Sequence, residues 1–536
     1  MEDTSRTHPP ASHEKTTHKG GAPSSSVPAE KSKADRAEHI RQQAVILFDH
    51  TRLLHDLGED SRAILEMAAR LQNQPIPHAR KKPYKAAVAF VKAQQAPGLT
   101  GDDERVTAAV LAYHQKKIKR KEIDHLDLSP IQVRQVLTLT ALLQIAVGLG
   151  YSGSAKTSIQ SIEPCDDGLW IVVDGPEAAT DAAAAQHNAR LWVKIGYPNV
   201  EVLESVEAAL RLTPFPEPLE SIGMNCDDPL SEAGRKVMLY HFARMLSYEE
   251  GTRLGEDIEA LHDMRVATRR LRAAFEVFQD AFDPGALKPY LKGLRATGRA
   301  LGKVRDLDVF MEKAQQYLDT IHEDRHMGLD MLLGGWKEQR EAARSEMLVW
   351  MASEDYSDFK RKFNLFLNTP GAGGRSTLAS PPVPTKVCEL APVLIYSRLA
   401  NVRAYAPYLE DAPVELLHAL RIEFKKLRYT VEYFQEVLGK EDKDVIDLLK
   451  QMQDHLGDLN DAQVAALILA EFIENWEARQ AQLPAEERQP IDEVHHYLAY
   501  RQDERQHLME TFQEEWEKHF WQPAFRRYLA QAVSVL

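Results

Sequence analysis

The chain is poor in cysteine, in long apolar runs and in phosphate-binding loops, and each scarcity excludes a class of protein. Its 536 residues hold three cysteines, Cys165, Cys226 and Cys388, far apart and without a Cys-x-x-Cys pair. Neither a disulfide framework nor a zinc site is expected from that spacing. No apolar run approaches membrane-spanning length, and the N-terminus lacks the hydrophobic core of a signal peptide. A cytoplasmic location without a membrane partner is therefore the expectation. A glycine-rich phosphate loop and a complete constellation of metal ligands are both missing, so neither catalysis, a metal nor a cofactor is expected. Positive charge is in the minority, 66 Lys and Arg against 80 Asp and Glu, a formal net charge of −14. That balance opposes non-specific association with nucleic acid.

What is there is a repeat. His262-Asp263-Met264-Arg265-Val266-Ala267-Thr268-Arg269-Arg270-Leu271-Arg272 returns as His418-Ala419-Leu420-Arg421-Ile422-Glu423-Phe424-Lys425-Lys426-Leu427-Arg428. Each basic position stays basic, and a histidine opens both copies. About forty residues on, Leu301-Gly302-Lys303-Val304-Arg305-Asp306 returns as Leu456-Gly457-Asp458-Leu459-Asn460-Asp461. A long repeat implies one supersecondary unit used twice, facing itself across a pseudo-twofold axis.

At roughly 100° per residue, His262, Arg265, Arg269 and Arg272 share one side of a helix, as do His418, Arg421, Lys425 and Arg428. Arg270 and Lys426 lie at the border of each stripe. Met264, Leu271, Phe275 and Phe278 lie opposite in one copy, Leu420, Leu427, Val431 and Phe434 in the other. Both helices are thus amphipathic, with one apolar and one cationic stripe. A charge run is usually a solvated face, but such faces interleave acids for i,i+4 pairing, and these stripes contain none. Like charges one turn apart destabilise a helix unless an anion relieves them. The stripes therefore read as a surface for an extended polyanion, with arginine suited to bidentate phosphate contacts. They lack the interleaved aromatics that stack single-stranded bases, which disfavours nucleic acid. Matched stripes are expected to share one ligand equally. Histidines set among cations are expected to take up protons when phosphate binds.

The pattern His-x-x-Arg-Val-x-x-Arg-Arg-x-Arg, then Leu-Gly-x-Val-Arg-Asp-x-Asp-Val, and the second-copy Leu-His-x-Leu-Arg-Ile-x-x-Lys-Lys-Leu-Arg-Tyr closely resemble the conserved-histidine α-helical domain, CHAD. The resemblance covers about residues 225–536. It implies a mainly α fold: tandem four-helix bundles related by a pseudo-twofold axis, whose basic helices line a groove for inorganic polyphosphate. Carried over, the binding residues are His262, Arg265, Arg269, Arg270 and Arg272 with His418, Arg421, Lys425, Lys426 and Arg428. Arg305 falls in the family's Arg-Asp pair, opposite Asn460 in the second copy. Arg295, Arg299 and Lys303, one and two turns apart on the preceding helix, are further candidate contacts. The Glu-x-Glu-x-Lys motif of the triphosphate-tunnel enzymes that accompany such domains is missing. Candidate partners beyond polyphosphate itself are polyphosphate granules or polyphosphate-metabolising enzymes.

Ahead of this domain, residues 1–35 are polar and read as a disordered tail, with His8, His13 and His18 too sparse for a metal site. Residues 36–212 read as helices followed by a small α+β appendage, with strands at Ser158–Glu163, Leu169–Val173 and Val200–Leu203 and a helix at Ala178–Trp192. A proline-rich linker, 213–224, precedes the repeat halves, about 225–370 and 385–536, whose seam is the Pro370–Pro384 loop. Leu54-His55-Asp56-Leu57-Gly58 has the look of a metal-dependent phosphohydrolase doublet. The wider pattern, about residues 37–205, resembles instead the HD-like C-terminal domain of the exopolyphosphatase/guanosine pentaphosphate phosphatase family. Leu71-Gln72-Asn73-Gln74-Pro75 stands where that family has Leu-His-Asp-Ile-Gly, so its metal-binding pair is lost. Ala112-Tyr113-His114-Gln115-Lys116 matches its Arg-Tyr-His-Arg-Lys segment, and Leu142–Gly150 its Leu-Leu-Arg-Ile-Ala-Asp-x-Leu-Asp segment with both aspartates replaced. The basic residues that remain are His78, Arg80, Lys81 and Lys82, then His114, Lys116, Lys117, Lys119, Arg120 and Lys121. They read either as solvated loops or as an auxiliary polyphosphate contact.

Overall fold

The computed structural model describes residues 27–77, 82–94, 100–116, 118, 126, 128–165, 167–375 and 383–536. Of the expected tail, residues 1–26 lie outside the described residues, as do His78, Arg80, Lys81, Lys117, Lys119, Arg120, Lys121 and the middle of the repeat seam. Residues 27–35 correct the expectation, because the chain is helical from Val27 and not from Arg36. Few large apolar side chains occur there, but Ala, Glu and Lys favour helix, and Pro28 falls in the first turn where proline is tolerated. The chain divides into two compact units, Met1–Ala209 and Leu210–Leu536.

The first unit is built from α1 (Val27–His50), α2 (Glu59–Leu71), α3 (Pro83–Ala93), α4 (Gly101–Tyr113) and α5 (Pro130–Leu149). Then come β1 (Ser158–Cys165), β2 (Gly168–Asp174), α6 (Ala178–Asn188), α7 (Arg190–Lys194) and β3 (Asn199–Glu204). β2 pairs antiparallel with β1 and parallel with β3, the helical crossover supplying the length a parallel neighbour needs. Helix α5 is the centre of this unit. It is long and apolar enough to cross a bilayer by length and composition, against the expectation of no such run. Its Val136, Leu139, Leu142, Leu143 and Ala146 are buried against α1, α2, α4 and α6, so the apolar run is accounted for as protein core. Gly148 lets the α5 and α6 backbones touch, since a Cβ there would lie 2.4 Å from the Ala185 Cα.

The His55–Asp56 doublet is a helix stop. His55 is buried, its Nε2 lies 3.1 Å from the Phe48 carbonyl, and its Nδ1 accepts from the Leu57 N–H at 3.1 Å. Both ring nitrogens are committed to backbone, and burial holds the imidazole pKa down. Asp56 takes the left-handed cap conformation at φ 53°.

The second unit repeats one helical plan. In the first half α8 (Leu230–Ser247), α9 (Ile258–Phe278), α10 (Lys288–Leu318) and α11 (Asp330–Ala352) pack in succession, closed by α12 (Glu354–Asn368). In the second half α13 (Val387–Arg403), α14 (Val414–Tyr433), α15 (Asp442–Gln480) and α16 (Asp492–Glu515) follow the same order, closed by α17 (Pro523–Val533). One continuous core runs through both halves, and the basic helices α9 and α14 touch each other. The far ends of the long helices meet in a second cluster, where Tyr317 and Trp336 of one half pack with Leu469 and Tyr497 of the other.

The starts of the two halves are clipped together. The Leu230 N–H donates to the Thr385 carbonyl at 2.8 Å and the Val387 N–H to that of Asp228 at 3.0 Å. Cys226 and Cys388, Cα atoms 4.9 Å apart, form a disulfide between them. This corrects the expectation that the cysteine spacing indicates no disulfide. The partners are separated by 162 residues, and only the folded repeat brings them side by side.

Candidate functional site

The basic helices are held by the stripes opposite their charges. Met264, Leu271, Phe275 and Phe278, with Leu420, Leu427, Val431 and Phe434, are all buried in the shared core. That burial points the cations outward on a rigid frame. The Leu-Gly motif of the following helix lies beneath the same arginine in each half: a Cβ at Gly302 would sit 3.8 Å from Arg265 Nε, and one at Gly457 4.0 Å from Arg421 Nε.

Between α9 and α14 the cations meet around a cleft of about 330 Å³, lined by Arg265, Arg269 and Arg272 of the first half and Lys425, Lys426 and Tyr429 of the second. Half-buried Lys425 is the focus. Burial first, then the charges of Arg269, Arg421, Arg265 and Arg272, push its pKa down to about 7. The Nε atoms of Arg269 and Arg421 are buried without a hydrogen-bond partner. Among the described residues, Arg269, Arg272, Arg421 and Lys425 make no ion pair, nor do His262, Arg295 and Arg299. Among the described residues, exposed Glu276 is the one carboxylate on the cleft. Arg272 and Arg295 also border a neighbouring depression of about 390 Å³, joined by Lys288 and Arg375, which sequence reasoning missed, and by Glu276, Asp280 and Asp283.

The other candidates are neutralised inside the protein, which corrects the reading of stripes free of acids. Arg265 pairs with Asp306 at 2.9 Å. Burial lowers the Arg265 pKa, Asp306 opposes this, and Arg269 and Arg305 add to it. Lys426 pairs with Glu423 at 2.8 Å, Lys303 with Glu346 at 2.7 Å, and Arg305 lies 3.8 Å from Glu312. Glu432 gathers both Arg270, at 3.0 Å, and Arg428, at 3.1 Å. These two guanidinium groups also flank the ring of Tyr429, and the Tyr433 hydroxyl donates to the Arg270 carbonyl at 2.6 Å. Arg270, Arg428 and Glu432 therefore form a clamp between the halves. Arg428 Nε further donates to Gln453 at 2.9 Å, and His418 Nδ1 lies 2.6 Å from Asn460 Oδ1. Glu423 and Glu432 were readable as i,i+3 and i,i+4 partners of Lys426 and Arg428. The pairing of Arg270 with Glu432, across the repeat, was not.

The second unit is a duplicated helical bundle with a cationic seam between its halves. Residues 236–470 match the CHAD domain family, and residues 31–171 match Ppx/GppA phosphatase, domain III, so the chain carries a CHAD domain behind a region related to that phosphatase domain. Among solved structures it is similar to the CHAD domain from the plant Ricinus communis, with 23% identity and a TM-score of 0.44 over 56% of this chain and 96% of that one. It is also similar to PptA from Streptomyces chartreusis, with 17% identity and a TM-score of 0.41 over 54% of this chain and all of that one. Curated relatives include uncharacterized proteins of Mycobacterium tuberculosis strains CDC 1551 / Oshkosh and ATCC 25618 / H37Rv, each 23% identical over 216 residues. That match is 38% of this chain, which spans 40% of the length of either relative.

Proposed function

We propose that the second unit is a non-catalytic receptor for inorganic polyphosphate, held along the seam between α9 and α14. The observation that carries this reading is the convergence of Arg269, Arg272, Arg421 and Lys425 from both halves without an acidic partner. Two buried guanidinium Nε atoms there lack any acceptor, and the Lys425 proton is destabilised first by burial and then by its arginine neighbours. Gathering like charge in a half-buried cleft costs stability, and a linear polyanion spanning the seam recovers it. The CHAD family points to polyphosphate as that anion. A non-catalytic role is supported by His55, whose nitrogens are committed to backbone, and by Leu71–Pro75, where the related phosphatase domain has its His-Asp pair. Polyphosphate granules or polyphosphate-metabolising enzymes are the proposed further partners.

The test is titration of the full chain with long-chain polyphosphate at rising salt, beside a phosphate-release assay with Mg²⁺ or Mn²⁺. Affinity falls steeply between about 50 and 200 mM salt, because each neutralised charge releases counterions. Affinity indifferent to salt would overturn the reading, and sustained phosphate release would make the protein an enzyme.

A further inference from the structure

The first unit holds a second anion site that the polyphosphate reading does not use. Where the C-terminal ends of α4 and α6 meet α5 and α7, a pocket of about 600 Å³ opens. Lys116, His187, Arg190 and Lys194 surround it, and no carboxylate is among its described lining residues. Helix C-termini attract cations on their own account, so the exposed lysines and arginine alone carry little. What the helix ends do not explain is His114. Its side chain is 7% exposed and lines the pocket, with its Nδ1 2.9 Å from the Leu111 carbonyl and its Nε2 buried without a partner. Burial lowers its pKa, so the ring is neutral at physiological pH. In that tautomer Nδ1–H donates to Leu111 and Nε2 presents a lone pair, which calls for a ligand with a donor. A buried acceptor of this kind favours the ligand that brings it a donor.

We propose that this pocket binds a sugar phosphate, its phosphate on Lys116, Arg190 and Lys194 and one of its hydroxyls donating to His114 Nε2. Inorganic phosphate alone would leave most of the volume unfilled, and Ile118, Val147 and Leu191 supply the apolar wall for a carbon skeleton. The site lies wholly in the first unit.

Calorimetric titration of the full chain with ribose 5-phosphate tests it, using inorganic phosphate and methyl phosphate as the other arms. Ribose 5-phosphate binds saturably, and Arg190→Glu with Lys194→Glu, both at exposed positions, weakens it about tenfold or more, since charge-assisted contacts are lost and repulsion added. Arg269→Ala with Arg272→Ala in the seam leaves it unchanged, so failure here and failure of the polyphosphate reading are told apart. The His114 Nε2 resonance shifts on binding. Unaltered affinity in the Arg190/Lys194 variant overturns the site. Inorganic or methyl phosphate binding as tightly as ribose 5-phosphate overturns the sugar.

Discussion

The first and second halves of the duplicated unit carry the same basic helix and use it differently. In the first, Arg269 and Arg272 stand open while Arg265 and Arg270 are paired with Asp306 and Glu432, and the flanking helix α10 adds Arg295 and Arg299, its Lys303 being held by Glu346. In the second, Lys426 and Arg428 are tied to Glu423, Glu432 and Gln453. Its flanking helix α15 carries Lys450, Asp454 and Asp458 at the matching positions, so two cations have become acids. Each stripe keeps two cations without an ion pair among the described residues, and one arginine from each, Arg270 and Arg428, meets the other on Glu432 in the clamp that holds the halves together. Under the proposed polyphosphate reading, Arg295 and Arg299 weight the seam toward the first half, with Arg421 and Lys425 as the second half's contribution, where matched stripes alone would share the ligand equally.

The largest effect separates these roles. Arg269→Ala with Arg272→Ala is expected to weaken polyphosphate binding on the order of a hundredfold, because two charge-assisted contacts are lost with little structural change. Lys426→Ala with Arg428→Ala is expected to lower the melting temperature while changing affinity much less, since Glu432 loses one of its two partners in the clamp. Equal losses of affinity in the two variants would restore equivalence of the halves and break the comparison.

Next in size is a pH dependence centred on a lysine. The histidines that open each stripe were the expected proton switch. Burial and four arginines single out Lys425 instead, at about 7 against an ordinary 10.5. Below about pH 7 Lys425 carries its proton both free and bound, and its contribution to affinity is flat. Above that, the free protein has released a proton that a bound phosphate restores, so affinity falls by up to about tenfold per pH unit. Over the same window the free protein gains stability with rising pH, because the unfolded chain still holds the proton the native one has lost. Lys425→Arg, which cannot release its proton, is expected to flatten the binding profile between pH 7 and 10. A profile unchanged in that variant would rule out Lys425 as the group that titrates.

Much of this architecture was legible because periodicity reports burial. The apolar faces of Ile258–Phe278 and Val414–Tyr433 follow the 3.6-residue period, and the appendage strands lie within a residue or two of their expected ends. The expected helix Ala178–Trp192 is broken at Ala189 into α6 and α7. What stayed hidden depends on contacts between residues remote in sequence. Cys226 finds Cys388, and Arg270 finds Glu432, only once the halves face each other. The charge stripe itself was visible, but whether a given arginine is open or neutralised is decided by the neighbouring helix, which no helical wheel displays.

The smallest effect comes from the position where that neighbouring helix differs most simply. Gly298 and Gln453 occupy matching places in α10 and α15, three residues before Leu301 and four after Leu449 in a core-facing register. Gln453 accepts from Arg428, whereas Gly298 leaves Arg272 with no side chain to bind and leaves room at the cleft. A Cβ at Gly298 would lie 3.6 Å from Arg272 Nη1 and 3.7 Å from Thr268 Cγ2, ordinary contact distances, so a larger residue fits the helix there. Gly298→Gln is expected to fasten Arg272 as Arg428 is fastened, and to weaken polyphosphate binding about five- to tenfold, the worth of roughly one neutral-to-charged hydrogen bond. The helix itself gains from losing a glycine, so the melting temperature holds or rises. Gln453→Gly is expected to act oppositely, freeing Arg428 in part while Glu432 still holds it, with a smaller gain in affinity. If Gly298→Gln binds like the native chain, the difference between the halves resides in the carboxylates alone, and Glu432→Gln becomes the substitution that moves binding.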